Sequence, residues 1–175
     1  MFAMTLEQIF LKEAADKLAE NLDRIETCVP KLPPGSLWAR ESENENAVAN
    51  LLLHLDGNVR QWIVSGVGGA PDRRDRPSEF SARSGPDGPV LVANLRAAVH
   101  DAMRVIRTLP PARLTEAVSI QGDDTTVLAA IFHVVEHFSG HTYQIILLTK
   151  RATHADLGFY AYLEETGRRE ASSDD

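Results

Sequence analysis

Cysteine is close to absent: Cys28 stands alone in 175 residues, which excludes an intrachain disulfide framework and fits a reducing, cytoplasmic setting. Nothing beside Cys28 in sequence would lower its thiol pKa, so it reads as a small buried side chain before a nucleophile. Aromatic residues make up only 6% of the chain, so the core must be aliphatic. Positive charge is also scarce. With 18 Lys and Arg against 25 Asp and Glu the formal charge is −7, and no basic patch is available to displace counterions from nucleic acid or an anionic membrane. Both are excluded as expected partners, which leaves small molecules. No stretch approaches the roughly 18 consecutive apolar residues of a membrane span. The opening Met1-Phe-Ala-Met-Thr-Leu lacks a basic region followed by an apolar one, so no signal peptide is expected.

What remains is a chain of one ordinary domain's length, with helical periodicity almost throughout. One domain is expected over 1–167, with a polar tail at 168–175. Thr5 and Gln8 have capping-box spacing, and Leu11, Ala14, Leu18, Leu22 and Ile25 recur on one helical face, giving a first helix that ends before Pro30. Ser42 and Glu45 offer the same box for a second helix through Leu51, Leu55, Val59 and Ile63 to about Ser65. The glycines at 66, 68 and 69 break it. A charged Pro-, Gly- and Ser-rich segment from Arg73 to Pro89 reads as a long crossover loop that could edge a pocket. A third helix is expected from Pro89 to Leu109 and a fourth from about Thr125 to Arg151, with Asp123 and Asp124 at its positive end. A short helix over Ala155 to Thr166 follows. Leu32-Pro-Pro-Gly-Ser-Leu37 and Leu109-Pro-Pro-Ala-Arg-Leu114 each precede a histidine-bearing helix, a faint repeat that favours two helix pairs and hence an all-α four-helix bundle.

The chemistry concentrates in His133-Val-Val-Glu-His137-Phe-Ser-Gly-His141-Thr-Tyr-Gln144. Three histidines at i, i+4 and i+8 fall on one face of the fourth helix, and two imidazoles one turn apart can share a metal ion. A third ligand must come from elsewhere. At roughly 100° per residue, His54 lies about 100° from the centre of the second helix's apolar stripe, and His137 and His141 flank that of the fourth. All three are therefore expected at a rim, as a facial site of His54, His137 and His141 with an open position for water or substrate. His133 is a spare ligand, a hydrogen-bonding neighbour or a pocket wall, and His100 and His154 read as surface side chains. His133-Val-Val-Glu136-His137 also satisfies the H-x-x-E-H pattern of inverted zinc proteases. That reading leaves His54 and His141 unused, and only 38 residues follow His137 to supply a distant acidic ligand.

Asn50-Leu-Leu-Leu-His54-Leu-Asp-Gly-Asn58 taken together with His137-Phe-Ser-Gly-His141-Thr-Tyr-Gln144-Ile145 resembles the DinB/YfiT-like superfamily over approximately residues 5–150. The resemblance implies an up-down-down-up four-helix bundle, frequently a homodimer, with zinc or nickel on His54, His137 and His141, iron being a further option. It also implies transfer chemistry with a low-molecular-weight thiol co-substrate. The chain departs from the commoner His-Arg-Gly-Gln ending: Tyr143 stands where many relatives have glycine.

A bound divalent cation would make thiolate available near neutral pH, or activate water for hydrolysis. Glu136, Gln144 and Asn58 are the candidates to orient ligands or handle protons. Arg60, Arg74 and Arg76 are candidates to hold a carboxylate or phosphate of the substrate, with Asn58 and Tyr143 in the pocket. A metal-binding or stress-linked interaction protein without turnover, and a histidine acting as general base without metal, are the competing expectations.

Overall fold

A computed structural model describes residues 3–161. Its elements are α1 (Leu6–Cys28), α2 (Val48–Val59), α3 (Arg76–Ser81), α4 (Gly88–Thr108), the strands β1 (Ala117–Ile120) and β2 (Asp123–Thr126), and α5 (Val127–Thr153). Thr5 caps α1 as its spacing predicts: its hydroxyl accepts the Gln8 N–H and the Gln8 side chain accepts the Thr5 N–H. α1 packs against α4 and α5, and α2 packs against the same two helices. The cross-helix pairs give the directions. Arg107 reaches Asp16 and Arg96 reaches Glu26, so α4 runs antiparallel to α1. Asn21 bonds Ser139 and Arg24 bonds Tyr143, so α5 runs parallel to α1. His54 meets His137 while Trp62 meets His133, so α2 runs antiparallel to α5. The order is up, down, down, up. The core between them is aliphatic, with Leu18, Ile25, Leu55, Leu95, Ile106, Ile131 and Ile145 fully buried around Phe138. Cys28 is buried among them, and burial pushes its thiol pKa up.

Four sequence expectations are corrected. α2 does not start from Ser42. Those residues close a separate turn, and the helix opens at Val48, where the Asn50 side chain accepts the Ala47 N–H at 3.2 Å. Beyond Val59 the same rod continues as a π-helix over Arg60–Val67, a widening that carries Trp62. The crossover contains α3, capped by the Asp75 side chain at Ser78. It folds back over α2: buried Asn50 donates to the Glu79 and Ala82 carbonyls. Finally, Asp123 and Asp124 lie in a strand. Gln121 and Gly122 both take positive φ (57° and 85°), the two-residue turn a hairpin requires, and buried Ile120 anchors β1. α5 therefore begins at Val127, with Thr126 as its cap.

Residues 155–160 are not helical, and residues 162–166 of the helix expected over 155–166 lie outside the described residues. Among the described residues no helix is long and apolar enough to cross a membrane.

Candidate metal centre

The rod of α2 with its π-helical continuation, and α5, each present a face with residues about one turn apart: His54, Asn58 and Trp62 on one, His133, His137 and His141 on the other. Because the helices are antiparallel, the histidines meet near the start of the first face and the end of the second. His54 Nε2 lies 3.0 Å from His137 Nε2, which lies 3.2 Å from His141 Nε2. His137 and His141 are half-buried, as a rim position requires. His54 is not at a rim: it is 4% exposed, because α3 closes over it and sets the Phe80 ring 4.6 Å from its own.

That closure brings in a residue the sequence reading missed. Glu79 Oε2 lies 2.9 Å from His54 Nδ1, and Arg74 donates to both Glu79 oxygens at 2.7 and 2.9 Å. Burial opposes charge on Glu79, yet the hydrogen bonds from Arg74 and His54 outweigh it and hold the carboxyl below its ordinary range. Arg74 also lies 3.1 Å from His54 Nδ1. An ionised carboxylate can only accept, so Nδ1 carries the proton and Arg74 is satisfied by Glu79. The free lone pair of His54 is then on Nε2, facing the other histidines. At the other end, His141 Nδ1 is 2.8 Å from Gln144 Oε1, which accepts its proton and likewise leaves Nε2 bare.

His137, between them, cannot serve both. Burial, with His141, His54 and His133 adding repulsion, lowers its pKa to about 3, so it is neutral with a single proton. Its Nδ1 is buried without a partner, and a proton on Nε2 could reach only one of the two neighbouring nitrogens. A cation among the three resolves this. Metal–imidazole bonds are about 2.0–2.1 Å, so two nitrogens on one ion stand about 3.0 Å apart at a right angle and about 3.4 Å apart at the tetrahedral angle. The observed spacings lie between these limits. Together with the carboxylate–histidine contact typical of metal ligands, the donor set fits a divalent metal, and the three ligand atoms all lie within 4.8 Å of one another.

The other singled-out residues fall around this centre. His133 packs against Trp62 with ring centroids 4.3 Å apart and planes tilted by 43°, its ring 5.5 Å from that of His137. Glu136 and Gln144 are exposed and, with His133, His137, His141 and Gly140, line a cleft of about 300 Å3 over the cluster. Asn58 is buried, its Oδ1 without a partner. Arg76 is exposed with its guanidinium 5.0 Å from the Phe80 ring. Arg74 is committed to Glu79 and Arg60 to Asp56. Tyr143 is turned toward α1, accepting from Arg24 at 2.7 Å.

Residues 5–161 match the family described as "Protein of unknown function (DUF1572)". The chain belongs to that family. No curated protein matches it in sequence. Among solved structures it is similar to a conserved protein of Enterococcus faecalis, with a TM-score of 0.68 and 12% identity over 87% of this chain and 100% of that one. It is also similar to the DinB-like protein YjoA of Bacillus subtilis, with a TM-score of 0.64 and 14% identity over 85% and 96% of the two chains. The DUF1572 chain thus has the DinB-like fold that its histidine motifs resemble.

The metal-free DUF1572 protein is expected to lose stability in acid. His137 is held from its ordinary 6.5 down to about 3, and His141 is lowered as well, chiefly by burial. As pH falls through this window the unfolded chain takes up protons that the folded chain refuses, so stability present above pH 6.5 is progressively lost. Glu79, also lowered, adds to the loss below its ordinary 4.5. Thermal melts of metal-free protein from pH 7.5 to 4 are expected to show a falling Tm, with a shallower slope for His137→Ala. A flat profile in the parent protein contradicts the assignment.

Proposed function

We propose that this DUF1572 protein binds a divalent metal, zinc or nickel before iron, through His54, His137 and His141, and uses it to transfer a group between a low-molecular-weight thiol and a small molecule. The observation that carries the reading is the convergence of three imidazole Nε2 atoms at 3.0 and 3.2 Å beside an open cleft. Bound there, the cation would supply Lewis acidity that favours the deprotonated form of a thiol near neutral pH.

The chain's own residues prepare for this. Glu79 and Gln144 hold the outer two imidazoles with Nδ1 turned away from the cluster, and burial keeps His137 neutral, so His137 has no proton to lose near pH 7 to become a ligand. Glu136, exposed on the cleft wall, would accept the proton of an incoming thiol. Arg76, exposed beside Phe80 and in no ion pair among the described residues, would hold an anionic group, whereas Arg74 is committed to Glu79. The reading takes a homodimer as the assembly.

Elemental mass spectrometry of protein isolated without added metal tests the first half; about one ion per chain is expected, and none would overturn it. A panel of bacterial thiols with electrophilic acceptors tests the second. Chelator-sensitive transfer is the expected result. Metal without turnover would make this a binding protein, and turnover without thiol a hydrolase.

A further inference from the structure

We infer that Gly140 sets the size of the molecule admitted to the metal centre. The inference rests on the metal-binding reading above. Four glycines among the described residues lie within helices, at 57, 66, 88 and 140. Three have a packing reason. A β-carbon at Gly57 would strike the Glu79 carboxylate, one at Gly66 the Ile120 side chain, and one at Gly88 would come within 2.9 Å of Val29. At Gly140 a β-carbon would meet no neighbouring side chain within 4 Å, and the backbone there is ordinary helix. Neither packing nor conformation asks for glycine midway along α5, where it is among the least favourable residues.

Its location supplies the reason. Glu136, Gly140 and Gln144 form one row along α5, and His133, His137 and His141 form the row beside it. Among the described residues, these six line the cleft over the cluster. With the described walls all on one helix, the depth of the cleft comes from the side chain missing between Glu136 and Gln144. A side chain at 140 would stand in the approach to His137 and His141, and its β-carbon would meet no neighbour, so Gly140 is a specificity-determining position.

The test uses the full chain loaded with cobalt(II), whose visible spectrum reports ligand exchange, in the parent protein, Gly140→Ala and Gly140→Leu. Both variants are expected to keep the parent's cobalt stoichiometry, and their metal-free forms to melt at the same temperature or higher. 2-Mercaptoethanol is expected to bind all three alike, while the apparent Kd for glutathione rises at least tenfold in Gly140→Leu and less in Gly140→Ala. Unchanged glutathione binding overturns the inference and leaves the metal site standing. A lower Tm or lost cobalt in the variants also overturns it, since glycine would then serve packing or ligation. Failure of the parent protein to bind cobalt overturns the metal reading itself.

Discussion

Replacing Glu79 with alanine is expected to cost about 3–5 kcal/mol of stability and, separately, to weaken metal binding by roughly 10–100-fold. The two effects have different origins. The Arg74 and Glu79 side chains are only 3% and 8% exposed, and once the carboxylate is gone the guanidinium keeps Gln61 as its side-chain acceptor, at 2.9 Å. An unpaired buried charge is what makes breaking such a pair expensive. The loss of affinity arises at His54, whose Nδ1 loses the acceptor that held its proton away from Nε2. The double variant Arg74→Met, Glu79→Ala separates them. It removes the orphaned charge, so denaturant melts of the metal-free protein should recover much of the stability. Competition against a chelator should still show weak metal binding. Glu79→Gln, which keeps an oxygen for His54, should bind metal more tightly than Glu79→Ala. A Glu79→Ala protein with unchanged metal affinity would sink the claim that Glu79 positions His54.

Glu79 also shows where sequence reading stops. The i, i+4, i+8 histidines, the Thr5 capping box and the long apolar repeats are local signals, carried by residues within a turn or two of each other, and α1, α4 and α5 follow from them. The partnership of Glu79 with His54 spans 25 residues and exists only because α3 lies back across α2. Two traces of it were present. Asp75-Arg-Pro-Ser-Glu79 is a capped helix start inside a segment that otherwise reads as loop. Gly57, an unexplained glycine in a helix, marks the place where the carboxylate approaches the backbone. The rim position assigned to His54 had the same origin, since an angle on an isolated helix takes no account of a third element laid over it. The hairpin was hidden differently. Val118 and Ile120 alternate over too short a span to compete with the helical pattern after Thr125, and the turn is Gln121-Gly122 rather than the commoner Asn-Gly.

The histidine row itself admits two pairings, and substitution at each end of it distinguishes them. His137→Ala is expected to abolish metal binding, a larger loss than removal of an outer partner such as Glu79. His137 is the shared neighbour of the other two ligands, its Nε2 3.0 Å from that of His54 on α2 and 3.2 Å from that of His141 on α5. Without it two nitrogens remain, too few for a stable site. His133→Ala is expected to leave about one ion per chain, because that ring packs against Trp62 and lies outside the group whose ligand atoms converge. Its cost should appear in the cleft wall, as a change in thiol affinity. The H-x-x-E-H pattern makes the opposite forecast, with His133 and His137 as the pair and His141 dispensable. Metal content of the three single variants, measured beside their far-ultraviolet circular dichroism to establish folding, decides between them. Metal retained in folded His141→Ala and lost in folded His133→Ala would move the site one turn toward the start of α5, away from His54 and the Glu79 that holds it.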